Sequence, residues 1–389
     1  MMKKRSYSIL AGLLLVSATL LAQPYGVGHT SAAFFDSSRN RNVVTEIYYP
    51  ADSAGENVPV ALGSFPVIVF GHGFLMSWEA YQNFWTALVP DGYVICFPTT
   101  ETGLSPSHEN FGADIKFVAA QMQIENGSSG SIFFDKLSEK TALMGHSMGG
   151  GASFLAAENN PAISTLINFA AAETTPSAIA AAANIDAPTL MFSGSDDCVT
   201  PAGEHQVPMY DNLASDCKTH ITIINGGHCY FADFNFFCNL GESLCNPSLD
   251  ITREEQQLIT FEFLTLWLDY SLRDNLTAFA AFNDSLQNST RITFEQSWNT
   301  ISIEEISTDS GIKIFPNPAV DKVSFVVAGE NVDGRMVIYN VMGERVYQQQ
   351  IRESEFQIDL SGFTAGLFWV VCCKDKSTYT ARFFKAGAR

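Results

Sequence analysis

Seven residues, Gly145-His146-Ser147-Met148-Gly149-Gly150-Gly151, constrain this chain more than any other stretch. They fit the pattern G-x-S-x-G, a sharp strand-to-helix turn that lifts a serine hydroxyl clear of a sheet. Only small residues tolerate the close backbone packing that such a turn imposes. The apolar run Thr141-Ala142-Leu143-Met144 before it suits a buried strand, and residues 151–158 after it can begin a helix aimed at the serine. These flanks favour a nucleophilic serine over a glycine-rich structural turn.

The rest of the chain supplies the scaffold that such a turn needs. Val43 to Tyr49 alternates as a half-exposed strand, while 65–70 and 92–97 are continuous apolar runs expected as buried parallel strands. Further strands are expected at 162–169, 188–192 and 221–224, and helices at 77–88, 112–123 and 202–213. A Thr252-x-x-Glu255 capping box opens a long helix to about Leu272. This alternation predicts an α/β fold, a mainly parallel sheet covered by helices on both faces, with reactive groups at the carboxyl ends of its strands. Residues 274–310, rich in Asn, Ser and Thr, read as a terminal strand region and a linker, and short alternating strands from Ile312 onward predict a separate small β-sandwich. The expected organisation is a signal peptide (1–22), a catalytic domain (23–300), a linker (301–311) and a terminal β-domain (312–389).

Lys3, Lys4 and Arg5 followed by the apolar run Ile9 to Leu21 carry the signal-peptide pattern, with cleavage expected after Ala22 or, alternatively, Ala18. No other stretch is long and apolar enough to span a bilayer, so a soluble, exported monomer is expected. A net charge of −19 argues against nucleic-acid binding, which requires a basic surface. Export permits disulfides, and five of the eight cysteines lie between 198 and 245. Cys238 with Cys245, which bracket the turn-like segment 239–244, then Cys198 with Cys217, are the expected bridges. His228, Cys229, Cys238 and Cys245 lack the C-x2-C spacing of structural zinc sites, so neither a metal nor an organic cofactor is expected.

A serine hydroxyl needs a base, and the base an orienting carboxylate; on this fold they follow in the order serine, acid, histidine. Downstream of Ser147 only His205, His220 and His228 are available. His205 falls in a surface helix and His220 at the start of a strand, whereas His228 follows the flexible Asn225-Gly226-Gly227 turn at a strand's carboxyl end, where the base belongs. The loop after 188–192 offers Asp196 and Asp197 for the acid. Oxyanion donors are expected from the Met148 amide and from the Phe74 amide in the Gly71-His72-Gly73-Phe74 loop, with the Phe74 ring walling an acyl pocket. His72 and His146 read as turn-stabilising.

Residues 40–272 resemble the bacterial cutinase and poly(ethylene terephthalate) hydrolase group of α/β-hydrolases, related to dienelactone-hydrolase-like enzymes. The resemblance rests on Gly145 to Gly151, on Pro188-Thr189-Leu190 with Asp197 and Pro201, and on Ile224-Asn225-Gly226-Gly227-His228. It implies Ser147 as nucleophile, Asp197 as acid, His228 as base, Phe74 and Met148 as oxyanion donors, and Val199 as an apolar pocket residue. It also implies a secreted ester hydrolase whose substrate can be polymeric. Polyester-cleaving members usually carry a tryptophan after the strand that follows the nucleophile helix; here the loop 170–177 has no aromatic residue. Residues 312–388, through Phe315-Pro316-Asn317-Pro318 and the Leu360-Ser361-Gly362 to Ala365-Gly366 segment, resemble the type A sorting domain of the type IX secretion system in Bacteroidetes. That resemblance implies export through the periplasm of a Gram-negative cell, with the type IX machinery as a partner.

Overall fold

The computed structural model describes residues 25–246, 248–298, 312–327, 334–340, 345–374 and 377–386. The expected signal peptide and linker lie outside the described residues. The chain divides into two compact units, 1–299 and 300–389.

In the first unit the strands are β1 (Gly26–Asp36), β2 (Arg41–Ala51), β3 (Gly55–Glu56), β4 (Phe65–Gly71), β5 (Val94–Pro98), β6 (Leu137–His146), β7 (Thr165–Phe169), β8 (Thr189–Gly194), β9 (Cys217–Ile223) and β10 (Ile292–Trp298). They form one sheet of order β10-β9-β8-β7-β6-β4-β5-β2-β1-β3. From β5 to β9 all neighbours are parallel, and β2, β1 and β10 extend this centre antiparallel to the strands they join. Successive residues of the central strands face opposite layers. Val67, Val69 and Leu143 enter one apolar cluster, and Ile68, Phe70 and Met144 the other. Both faces are apolar, so both must be covered, which explains runs with no polar alternation.

The helices are α1 (Gln82–Leu88), α2 (His108–Gly127), α3 (Met148–Ala157), α4 (Ala178–Ala182), α5 (Gln206–Asn212), α6 (Phe236–Cys245), α7 (Arg253–Arg273) and α8 (Leu276–Asn288). One core packs residues of α2, α3 and α4 on the sheet, and the other those of α1, α7 and α8. The capping residue expected for α7 is in place: Thr252 Oγ1 accepts from the Glu255 amide at 3.1 Å. Trp267 of α7 is fully buried, and its Nε1–H donates to Thr165 Oγ1 on β7 at 2.8 Å.

Two expectations need correction. Residues 276–288, read as part of a terminal strand region and linker, form a helix ahead of β10. Asn275 caps it by accepting from the Thr277 and Ala278 amides, and Ala278, Phe282 and Leu286, four residues apart, bury one face. Residues 239–244, expected as a turn, belong to α6, which Asn235 caps through the Cys238 amide.

The second unit contains β11 (Ile312–Phe315), β12 (Lys322–Val327), β13 (Gly334–Tyr339), β14 (Arg345–Ile351), β15 (Glu355–Asp359), β16 (Gly366–Lys374) and β17 (Ser377–Lys385). Two antiparallel sheets, β11-β12-β15 and β14-β13-β16-β17, share a core that includes Val323 and Phe325 from one and Ile338, Phe368 and Val370 from the other.

Trp267→Ala is expected to cost about 3–5 kcal/mol, from the lost indole and the void it leaves. Thr165→Val should cost about 1–3 kcal/mol by leaving the indole N–H unpaired. Urea unfolding of the full chain measures both.

Candidate active site

Ser147 sits between the last residue of β6 and the first of α3, at φ 55° and ψ −122°. This positive φ is costly for a residue with a Cβ, so the surroundings must hold it. The Ser147 N–H donates to the Phe169 carbonyl at 3.0 Å, and its carbonyl accepts from Gly151 (3.1 Å) and Ala172 (2.9 Å). A Cβ on Gly145 would stand 2.2 Å from the Gly149 carbonyl oxygen, and one on Gly149 would stand 2.1 Å from that of Gly71. Side chains at either position would force the turn apart. The glycines therefore set how closely β6, α3 and the end of β4 approach.

The loops after β8 and β9 reach the same end of the sheet. His228 Nε2 lies 2.9 Å from Ser147 Oγ, and its Nδ1 lies 2.8 Å from Asp197 Oδ2. All three residues are buried. Asp197 also accepts from the amides of Val199 and Thr200, both at 2.8 Å, and from the Thr200 hydroxyl at 2.9 Å. Burial alone would raise the Asp197 pKa; the charge of His228 and these hydrogen bonds outweigh it and hold the carboxyl below its usual range. The His228–Asp197 contact fixes the imidazole so that Nε2 faces the serine.

Beneath these contacts runs a second hydrogen-bonded chain. The Gly73 N–H donates to Tyr81 Oη at 2.7 Å, Tyr81 Oη lies 3.0 Å from His146 Nδ1, and His146 Nε2 lies 3.0 Å from the His228 carbonyl. A carbonyl only accepts, so Nε2 carries the His146 proton and Tyr81 donates to Nδ1. Burial, reinforced by the neighbouring His228 charge, pushes the His146 pKa down to about 3 and keeps it neutral. His146 thus ties together the loops carrying Phe74, Ser147 and His228. Of the other candidates, the Asp196 carboxylate accepts from the Ser195 hydroxyl, and Asn246 Nδ2 donates to the Asp196 carbonyl. His220 contacts Ser193, and His205 accepts from the Glu173 amide.

A cavity of about 140 Å³ opens over Ser147 and His228, lined by Phe74, Met76, Val199, Phe237, Cys238 and Gly241. Phe74 and Val199 were expected at this wall; Phe237 was not. The backbone N–H groups of Phe74 and Met148 donate to no acceptor among the described residues. Among those residues no cluster suits a metal ion, and no helix is long and apolar enough to cross a membrane.

Residues 26–241 match the PET hydrolase-like family. The chain belongs to that family. A second match, to the secretion system C-terminal sorting domain, covers residues 313–386, so the terminal unit is a sorting domain of secreted or cell-surface proteins. The chain is 26% identical to a bis(hydroxyethyl) terephthalate hydrolase from Streptomyces coelicolor over 213 residues, 54% of this chain and 63% of that protein. It is 29% identical to the ulvan lyase NLR42 of Nonlabens ulvanivorans over 107 residues, 26% of this chain and 20% of that one.

The PET hydrolase-like match ends at Gly241, inside α6, and the cysteines around this helix pair differently from expectation. The disulfides are Cys198–Cys245 and Cys229–Cys238, in place of the two expected pairs. Cys238 and Cys245 stand seven residues apart on one helix, about 10 Å along its axis, too far for a bridge. Cys217 opens β9 while Cys198 follows the far end of the parallel β8; Cys217 is unbridged. The observed pairs join the residue after Asp197 and the residue after His228 to opposite ends of α6. Between them Glu242 is buried, its Oε1 accepting from the His228 amide and Oε2 lying 3.3 Å from the Cys229 amide. Burial raises the Glu242 pKa, only partly opposed by the His228 amide and charge. An Asn235 cap before the spaced Phe236, Phe237, Leu240 and Leu244 was the signal for α6; nothing in the sequence marked Glu242.

The folded state holds the Glu242 proton more tightly than the unfolded chain. Its stabilising contribution is therefore complete below the ordinary value of 4.5 and lost as pH rises through the folded one. Glu242→Gln keeps an acceptor and cannot titrate. The stability of wild type relative to this variant should fall as pH rises above 4.5, and parallel pH profiles would refute the assignment. Cys198→Ser/Cys245→Ser opens a loop with a sequence separation of 47. Chain entropy puts its cost at about 4 kcal/mol, to be read by denaturant unfolding.

Proposed function

We propose that this chain is a secreted carboxylic-ester hydrolase working through an acyl-enzyme on Ser147. The observation that carries the reading is the pair of contacts at 2.9 and 2.8 Å that joins Ser147, His228 and Asp197 beneath an apolar cavity. His228 Nε2 takes the Ser147 proton as Oγ attacks the ester carbonyl. The unpaired amides of Phe74 and Met148 receive the developing oxyanion, Met148 at the positive end of α3. His228 then protonates the departing alcohol, and a water that it activates releases the acid. Asp197 holds the imidazole and stabilises its positive charge. Val199 and Phe74 face the acyl group. The chemistry calls for no metal or organic cofactor.

A cavity of about 140 Å³ is close to the size that holds one benzene ring, which supports a short acyl chain or a single aromatic ring at the carbonyl. The activity named for the Streptomyces relative agrees with an aromatic ester, and a cutinase-like or polyester substrate is the leading assignment. Small soluble or lipid-like esters fit the same cavity. The N-terminal leader and the sorting domain together support export through the periplasm by the type IX machinery, and the chain is taken to act as a monomer.

Wild type should hydrolyse p-nitrophenyl butyrate, and Ser147→Ala should lose at least ~10³-fold in kcat. Asp197→Asn should lose about 10⁴-fold with KM little changed, because it presents the imidazole in the wrong tautomer. Equal turnover by Ser147→Ala and wild type would eliminate the serine mechanism.

A further inference from the structure

A helix on a globular protein ordinarily buries its apolar face. α6 does the reverse. Phe237, Leu240 and Leu244 recur at helical spacing and are 56%, 46% and 80% exposed, and Phe236 beside them is 62% exposed. The opposite face carries the buried Glu242 and the half-buried Cys238, and the helix end is tethered through Cys245. Two covalent bridges and a buried carboxylate hold this helix where apolar packing would not, so the exposed stripe is sustained against the hydrophobic effect. Contiguous exposed apolar surface of this kind marks an interaction site.

We propose that α6 is a docking shelf for the apolar body of a water-insoluble ester, an inference that rests on reading Ser147 as the nucleophile of an ester hydrolase. Three observations select this occupant. The shelf is continuous with the cavity: Phe237, Cys238 and Gly241 line the space over Ser147, and Leu240 and Leu244 carry the same helix face onward. The cavity has room for about one ring, so any larger substrate must rest its remainder outside, where α6 is the apolar rim. Residues 234–245 contain one charged side chain, Glu242, and it is buried. Arg253, which reaches Asn239 of α6, is engaged by the Cys229 and Ala232 carbonyls, so on a chain of net charge −19 the shelf carries no cation of its own to attract anionic lipid. A neutral, apolar surface is its complement. α6 thereby stands in for the aromatic residue absent from the loop 170–177, supplied from the histidine side of the cavity.

The test separates adsorption from turnover. Full-length chain carrying Ser147→Ala is titrated onto an aromatic polyester film and a polycaprolactone film, with and without Phe234→Ser/Phe236→Ser/Leu244→Ser. Phe234 is exposed just ahead of the Asn235 cap, and the triple variant replaces no residue lining the cavity. Single Leu244→Gln and Phe236→Gln variants serve if the triple substitution unfolds the helix, as judged by circular dichroism and thiol titration. The expected result is at least a tenfold loss of film adsorption for the triple variant, and about threefold for each single. In the Ser147 background, p-nitrophenyl acetate turnover should stay within twofold while film hydrolysis falls with adsorption. Unchanged adsorption would overturn the shelf. So would adsorption unchanged while light scattering shows a wild-type dimer that the variant lacks, or while binding to phosphatidylcholine vesicles is lost, since the face would then serve a second copy or a membrane. Full turnover of soluble ester by Ser147→Ala would instead overturn the nucleophile reading, independently of the adsorption result.

Discussion

The close approach of three backbone segments, β4 at Gly71, β6 at Gly145 and α3 at Gly149, is the constraint on which the rest of the site depends. A Cβ at Gly145 or Gly149 would fall within about 2.2 Å of a carbonyl oxygen, so the turn exists only because none is present. That contact holds Ser147 at a positive φ and starts α3 directly behind it. It also sets the Phe74 loop beside the first amide of α3. The parallel order of β6, β8 and β9 then delivers Asp197 and His228 to the same edge, because parallel strands all end on one side.

Around this centre the protein uses two kinds of support. One is neutral and buried: Gly73, Tyr81, His146 and the His228 carbonyl form a hydrogen-bonded chain in which every proton has an assigned place. The other combines covalent bridges with a buried carboxyl group. Disulfides beginning one residue after Asp197 and one residue after His228 converge on α6, whose Glu242 accepts from the His228 backbone. The two bridges and this carboxylate tie the loops that carry the candidate acid and base to a single helix. The same helix turns its apolar side outward.

The fold and the positions of the candidate residues were legible to an unusual degree because local chemistry dictates them. A two-faced buried strand must be continuously apolar, as at 65–70, and a strained turn must be glycine-rich, as at 145–151. A base at a strand's carboxyl end needs a flexible turn before it, as at 225–227. Chain order narrowed the base to His205, His220 and His228, and the turn at a strand's carboxyl end singled out His228. Expectation failed where local sequence is ambiguous. Residues 276–288 carry polar Asn and Ser that mask an apolar stripe of Ala278, Phe282 and Leu286. Cysteine pairing depends on distances that spacing does not encode: Cys238 and Cys245 are near in sequence and two helical turns apart in space.

The sequence by itself determined a mainly parallel α/β sheet, a serine on a strained turn, the candidate base, a loop offering Asp196 and Asp197 for the acid, and a separate terminal β-unit, since each follows from steric or hydrogen-bonding rules acting within a few residues or along strand order. Only the tertiary structure decided what surrounds that chemistry. The disulfide partners, the buried Glu242 behind His228, and Phe237 on the cavity wall all depend on where α6 lands. That position is set by contacts between segments as far apart as Cys198 and Cys245, which no local pattern can specify.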